Sequence, residues 1–440
     1  MAILLKNGKM LAPNALQSST LRDGTAGGDA LQLNDVLICD GIVKEIALNI
    51  ESTDGVEVID LQNKFIAPGL IDVHTHLREP GGEHKETIET GTEAAARGGF
   101  TTIAAMPNTN PVPDCKESLE YVHDLINKNA KIRVLPYGAI TKNEAGEELV
   151  KFDEMAEQVF AFTDDGRGVQ TAGMMYEAMV QAKKAGKSIV AHCEDDSLLF
   201  GGYLHAGDYA KANGHKGIMS ASESVQIARD ALLAWETGVH YHVCHISTKQ
   251  SVEVVRFAKS MGINITAEIS PHHLLLSDKD ICEENISDYK MNPPLRSEVD
   301  RLACVEGLLD GTIDMIATDH APHAEEEKRR NIDVAPFGIV GLETAFPLMY
   351  TNFVKTGKMT LAKLIDLIAT KPAEVFGLEY GRFEVGAVAD IAIFDLEKEM
   401  TINRNAFKSK GRNTPFDGVN VTGIPMMTIY DGKVVFKEEV

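Results

Sequence analysis

The chain has only six cysteines, Cys39, Cys115, Cys193, Cys244, Cys282 and Cys304, and no C-x-x-C pair among them. That scatter excludes a disulfide framework and a cysteine-based zinc knuckle, and leaves buried reduced thiols as the ordinary reading. Long hydrophobic runs are also missing. The apolar run Ala2 to Leu5 is too short for a signal-peptide core, and no later stretch approaches the about 18 residues of a membrane span. A cytoplasmic chain with no membrane partner is the expectation. Positive charge is scarce: Lys plus Arg number 43 against 65 Asp plus Glu, a net charge of −22. A broad nucleic-acid-binding face is therefore not expected, and any anionic ligand must be held by a few local cations. No G-x-G-x-x-G or G-x-x-x-x-G-K-[ST] follows a predicted strand, which argues against a nucleotide site.

What is present is ordinary globular composition, 44% hydrophobic and 25% charged over 440 residues. Both ends read as antiparallel β-structure. Asp35 to Cys39 and Ile42 to Ile46 flank Asp40-Gly41, and Met427 to Tyr430 and Lys433 to Phe436 flank Asp431-Gly432; each pattern is a strong hairpin signal. The two ends are expected to meet in a small β-sandwich domain, with residues 1–66 and 379–440 contributing its parts. Asn14 to Asn34, rich in Ser, Gly, Thr and Asp, reads as an inserted loop.

Between the ends, Val/Ile-rich runs alternate with helices. The predicted strands are Leu70 to His76, Thr101 to Met106, Ile132 to Ile140, Val159 to Asp164, Ser188 to His192, Tyr241 to Ile246, Ile263 to Ile269 and Ile313 to Thr318. Helices such as Gly173 to Ala185 and Glu223 to Thr237 end at Gly186 and Gly238, suited to a left-handed C-terminal position. Eight β/α units over residues 67–378 predict an α/β fold with a TIM barrel, the main rival being an open doubly wound sheet.

A barrel places its active site at the carboxyl ends of the strands. His74 and His76 end the first predicted strand, Asp164-Asp165 the fourth, His192 the fifth, His245 the sixth, His272-His273 the seventh, and Asp319 follows the eighth. Strand periodicity puts Asp72, His74 and His76 on one face, and Tyr241, Val243 and His245 on one face of the sixth strand, with His240 and His242 opposite. Four histidines and two aspartates gathered this way predict a metal site. Nitrogen and oxygen donors without thiolate suit Zn²⁺, Mn²⁺ or Co²⁺, with ligands enough for two ions.

The sequence resembles the amidohydrolase superfamily and, within it, bacterial class I dihydroorotases. The motifs that carry the resemblance are Ala67 to Asp72, His74-Thr75-His76-Leu77-Arg78-Glu79-Pro80-Gly81, Met106 to Pro111, Met291 to Arg296 and Ala317 to His323. The resemblance implies that His74, His76, Asp165 and Asp319 hold one ion and Asp165, His192 and His245 the other, with Asp319 the catalytic acid and base. It further implies substrate contacts from Arg78, Asn108, Asn292, His323 and the Phe337-Gly338 backbone. Many superfamily members bridge their metals with a carboxylated lysine, but Phe162-Thr163-Asp164-Asp165-Gly166 contains none. A carboxylate can bridge directly; the 27-residue spacing to His192 is similar to the family pattern for Asp165, with Asp164 the alternative.

The implied reaction is the reversible cyclisation of N-carbamoyl-L-aspartate to L-dihydroorotate in pyrimidine synthesis. Allantoinase and hydantoinase are the rival activities. From a different class comes a catalytically silent scaffold for a carbamoyltransferase, which filled ligand positions argue against. A homodimer and a carbamoyltransferase association are family expectations. His272-His273 needs no ligand role, and the charged run Glu325 to Arg330 reads as a solvated loop that could cover the site.

Overall fold

The computed structural model describes residues 2–12 and 30–438. Eight segments close a parallel barrel. Leu70–Thr75 pairs with Phe100–Ala105, which pairs with Arg133–Pro136. Ile189–Ala191, Tyr241–Val243, Ile265–Ile269 and Met315–Ile316 continue in that order. The fourth segment contributes a bridge rather than a ladder. Phe162 is paired with Gly138 on one side and Ile189 on the other, through Thr163 N–H to Gly138 O (2.9 Å) and Val190 N–H to Phe162 O (2.9 Å). A parallel bridge from Thr75 to His320 shuts the ring, which excludes the open doubly wound sheet.

The barrel interior is packed. Ala104, Met106, Tyr137, Ala161, Val190 and Cys244 form one inner cluster, and Ile71, Val73, Met315 and Ala317 another. Outside, helix Ala172–Lys184 buries Met175, Ala178, Met179 and Ala182, whereas Ala221–Thr237 buries Ile227, Ala231 and Ala234 together with the polar Ser222, Glu223, Gln226 and Asp230. Gly238 takes the left-handed conformation expected at the end of the second (φ 67°).

The chain ends form one mixed eight-stranded sheet. Its order is Lys433–Lys437, Asn420–Tyr430, Ile391–Thr401, Phe65–Pro68, Ala2–Leu11, Leu31–Cys39, Ile42–Ala47, with Val56–Asp60 also paired to Ala2–Leu11. Ile3, Leu5, Val36, Ile38, Ile391, Ile393 and Ile429 give it a core of its own. Both predicted hairpins are present, with Asp40-Gly41 at φ 50° and 79° and Asp431-Gly432 at φ 49° and 70°. The two turns meet tip to tip: a Cβ on Gly432 would lie 2.7 Å from Gly41 Cα, so neither packing nor φ admits a larger residue.

The loop expected over Asn14 to Asn34 ends sooner than its composition suggests. Leu31 to Asn34 are already strand, registered against Leu11 to Gly8, and residues 13–29 lie outside the described ones. Cys193, Cys244 and Cys304 are buried, whereas Cys115 and Cys282 are exposed; all six cysteines are free. Among the described residues no helix is long and apolar enough to cross a membrane.

Candidate active site

The first barrel strand delivers His74 and His76 to the mouth. His74 Nδ1 lies 2.6 Å from Glu268 Oε1, and donating its proton there leaves Nε2 as the basic nitrogen. That nitrogen faces Asp319 Oδ1 at 3.4 Å and Asp165 Oδ1 at 3.5 Å, and has no hydrogen-bond partner. His76 is held the same way. Its Nδ1 meets Asn108 Oδ1 at 3.0 Å, and its Nε2 faces Asp319 Oδ1 at 3.1 Å and Asp165 Oδ2 at 3.5 Å. Asn108 thus spends its oxygen on orienting His76.

Asp165 stands at the centre. Its Oδ1 lies 3.6 Å from His192 Nδ1 and 3.7 Å from His245 Nε2, and these two nitrogens are 2.9 Å apart. Asp164 points elsewhere: it accepts hydrogen bonds from the Ile140 and Thr141 amides (2.7 and 3.0 Å) and from the Thr141 hydroxyl. The loop after the third strand consumes it, which leaves Asp165 as the carboxylate facing the histidines.

Two facing expectations are corrected. Asp72 does not share the site of His74 and His76. It receives Thr318 N–H (3.1 Å) and His74 N–H (3.0 Å), tying the first barrel strand to the segment after the eighth, and its burial pushes its carboxyl up to about 7. Tyr241 and Val243 pack in the main hydrophobic core, whereas His245 turns into the site. The regular strand stops at Val243, and a positive φ of 30° at His245 breaks the period of two.

Several contributors lie outside the metal and substrate residues expected from sequence. Glu268 is the most important; its signal was a lone acid in the apolar strand Ile265–Ile269. Burial opposes its charge, but His74 and His242 outweigh this and hold its carboxyl down to about 2. His242 Nε2 lies 3.2 Å from Glu268 Oε2, so a histidine expected on the face opposite His245 supports the residue that orients His74. His272 and His273 both contact Ser270 Oγ (2.8 and 2.7 Å), and His273 Nε2 donates to Pro293 O (2.9 Å), anchoring the loop that carries Asn292. Replacing Glu268 by Gln is expected to weaken divalent-metal affinity about 10- to 100-fold while the chain stays folded, measured by competition with a chelating dye.

Whether these residues suit metal ions follows from their charge. Asp165, Asp319 and Glu268 are buried around His74, and burial opposes an imidazolium there, yet the three carboxylates raise the His74 pKa well above its usual value. So much negative charge in a dry pocket calls for a cation. Three groupings bring ligand atoms within 4.8 Å of one another: His74, His76 and Asp165; His74, His245 and Asp319; and Asp165, His192 and His245. His74 Nε2, Asp165 Oδ1 and His245 Nδ1 are buried without partners. A fourth grouping adds Cys244 to His74 and Glu268, but burial drives its thiol pKa up and keeps it protonated. The six predicted donors fit divalent metal binding through nitrogen and oxygen.

A second wall faces this cluster. Arg78, at φ 60°, donates through Nε to Pro322 O (3.2 Å), and its Nη2 lies 3.3 Å from His323 Nε2. Burial lowers the Arg78 pKa only to about 10, so it remains a cation at neutral pH. Burial and then Arg78 push the His323 pKa down, leaving a neutral ring that donates from Nε2 to Phe337 O (2.8 Å). Gly338 N–H donates to Lys290 O (2.9 Å), so this backbone is tied inward. Asn292 Nδ2 lies 3.4 Å from His192 Nε2, and its Oδ1 is buried and unpartnered. The run Glu325 to Arg330 is not uniformly solvated: Lys328 is buried, its ammonium donating to Pro336 O and Gly338 O (both 3.1 Å).

Comparison with known proteins agrees with this geometry. Residues 63–251 match the family described as Dihydro-orotase-like. Dihydroorotase from Bacillus pumilus is 57% identical over 439 residues, covering 100% of this chain and 99% of that one. Dihydroorotase from Staphylococcus aureus is 55% identical over 435 residues, covering 99% of each. Among solved structures, L-hydantoinase (dihydropyrimidinase) from Arthrobacter aurescens superposes with a TM-score of 0.84 at 27% identity, covering 100% of this chain and 97% of that one. D-hydantoinase from a Thermus species gives 0.83 at 26%, with the same coverage. The chain is a cyclic amidohydrolase and belongs to the dihydroorotase family.

Proposed function

We propose that the chain catalyses the zinc-dependent, reversible cyclisation of N-carbamoyl-L-aspartate to L-dihydroorotate, a step of pyrimidine synthesis in the cytoplasm. The supporting observation is the meeting of six metal-type donors with one buried cation in one barrel mouth: His74, His76, Asp165, His192, His245 and Asp319 opposite Arg78, which lies beside the neutral His323. His74, His76, Asp165 and Asp319 would hold one ion and Asp165, His192 and His245 the second; Mn²⁺ or Co²⁺ suits the same donors. Bound there, divalent ions polarise the ring amide and lower the pKa of the attacking water.

The chain's own residues carry the protons and the orientation. Asp319 is ionised despite its burial, because His74 and His76 hold its carboxyl far below the usual range. It accepts a proton from the attacking water and delivers one to the departing ring nitrogen as the C–N bond breaks. In the biosynthetic direction it removes a proton from the carbamoyl nitrogen, which attacks the side-chain carboxyl group as water leaves. The Arg78 fork binds the other carboxylate. Asn108 and Asn292 offer side-chain amides to the ring, and Phe337-Gly338 backs His323.

The test is loss of dihydroorotate ring absorbance with the purified, metal-loaded chain. Dihydroorotate is expected to be turned over in strong preference to hydantoin and dihydrouracil, and preference for an uncharged ring would overturn the assignment. Because Asp165 supplies a carboxylate without chemical modification, metal-restored activity is expected to be indifferent to bicarbonate. Recovery only with bicarbonate would contradict it. Arg78→Ala is expected to raise KM about 10- to 100-fold with metal content unchanged, since it deletes a charge-assisted fork; unchanged kinetics would remove Arg78 from the site. We further propose a homodimer and, in the cell, association with a carbamoyltransferase, both open to sizing of the purified chain with and without that partner.

A further inference from the structure

Asn413 lies in the C-terminal part of the chain, yet its side chain reaches the wall of the barrel mouth. Its Oδ1 accepts His323 N–H (3.1 Å), and its Nδ2 donates to Ala321 O and Gly338 O (both 2.9 Å). Its own carbonyl accepts Val340 N–H (3.0 Å). A buried asparagine with every side-chain bond spent on residues at least 75 positions away is not capping a local turn. Gly338 O receives a second hydrogen bond, from buried Lys328 Nζ at 3.1 Å.

The surrounding segment is fixed along its length. Glu343 accepts Lys408 N–H and Ser409 N–H (2.9 and 3.1 Å), and Glu86 accepts Lys410 N–H (3.2 Å) and the Ser409 hydroxyl. A Cβ on Gly411 would lie 2.7 Å from both Pro322 Cβ and Val340 Cγ1, so this strap presses directly on the loop after Asp319. On the other side a Cβ on Gly338 would lie 2.7 Å from His323 Cδ2. The position of His323 is therefore set between Gly338 and the strap, with Asn413 bonded to both sides.

We infer that Asn413, with Lys328, is a positioning residue for the end of the substrate that carries the free carboxylate: it fixes His323 and the Phe337-Gly338 backbone opposite Arg78. The inference rests on the dihydroorotase reading above. It makes the C-terminal strap part of substrate recognition rather than only of the sheet.

Asn413→Asp separates this role from general weakening, because the carboxylate keeps the acceptor for His323 N–H and sets an oxygen against two carbonyl oxygens. In the full-length, metal-loaded enzyme it is expected to raise KM for L-dihydroorotate at least about tenfold, with kcat changed less than about threefold and bound metal unchanged. An unchanged KM in folded Asn413→Asp overturns the inference, as does a fall in kcat without a rise in KM. If that variant does not accumulate folded, Lys328→Met tests the same wall: KM is expected to rise selectively and Lys328→Arg to restore it in part, and an unchanged KM overturns the inference. Wild type without dihydroorotate turnover refutes the functional reading itself; active wild type with an indistinguishable Asn413→Asp refutes only the positioning role.

Discussion

Asp319→Asn is expected to lower kcat for dihydroorotate hydrolysis by about three to four orders of magnitude, near the upper end of what a positioned acid–base group supplies. Two features of the site argue for so large an effect. The carboxylate is buried against His76 Nε2 at 3.1 Å and His74 Nε2 at 3.4 Å, between the other proposed metal-binding residues and the Arg78 side of the mouth. Its ionisation is maintained by those imidazoles against the penalty of burial, so an isosteric amide keeps the shape but loses both the charge and the proton acceptor. KM is expected to move little, since Arg78 and His323 are untouched. Steady-state kinetics in both directions provide the check: kcat within tenfold of wild type would assign proton transfer to another group.

Asp165→Ala is expected to reduce bound metal from two ions per chain to one or fewer, and activity by at least about 100-fold. Its Oδ1 lies 3.5 to 3.7 Å from His74, His192 and His245, so one carboxylate serves both proposed ligand sets. Deleting it also removes the carboxylate that His245 faces, while His74 and His76 keep Asp319. Asp164→Ala should spare metal content, because that carboxylate bonds the Ile140–Thr141 backbone, and cost stability instead. Elemental analysis of the two variants discriminates between the neighbours: metal loss in Asp164→Ala with retention in Asp165→Ala would reverse the assignment.

Much of this architecture was legible because it is written locally. Asp40-Gly41 and Asp431-Gly432 demand positive φ and adopt it, and the histidines and aspartates at strand ends gather because a closed parallel barrel brings all its carboxyl ends to one rim. What was not legible depends on contacts between distant segments. Glu268 meets His74 across 194 residues of sequence, and Asn413 meets His323 across 90. No periodicity encodes such pairs. Lys328 looked like one more charge in a solvated run; only the fold shows the ring of carbonyls that takes its ammonium. His245 was found for an incomplete reason, since its backbone departs from the strand geometry that was expected to aim it.

The structural neighbours illustrate how little the barrel alone decides. Hydantoinases at 26 and 27% identity share the fold almost completely, while dihydroorotases share 55 to 57% of the sequence. Substrate choice between a charged and an uncharged ring belongs to a few side chains at the mouth rather than to the layers beneath them. Arg78, beside the neutral His323, supplies a local positive charge inside a chain of net charge −22.

The most direct test titrates the metal-stripped chain with Zn²⁺ while counting bound ions and following dihydroorotate turnover in the same samples. The account predicts negligible turnover without metal and a rise to a plateau as two ions bind per chain. Full turnover in the stripped chain, or two bound ions with no turnover of dihydroorotate, would contradict it.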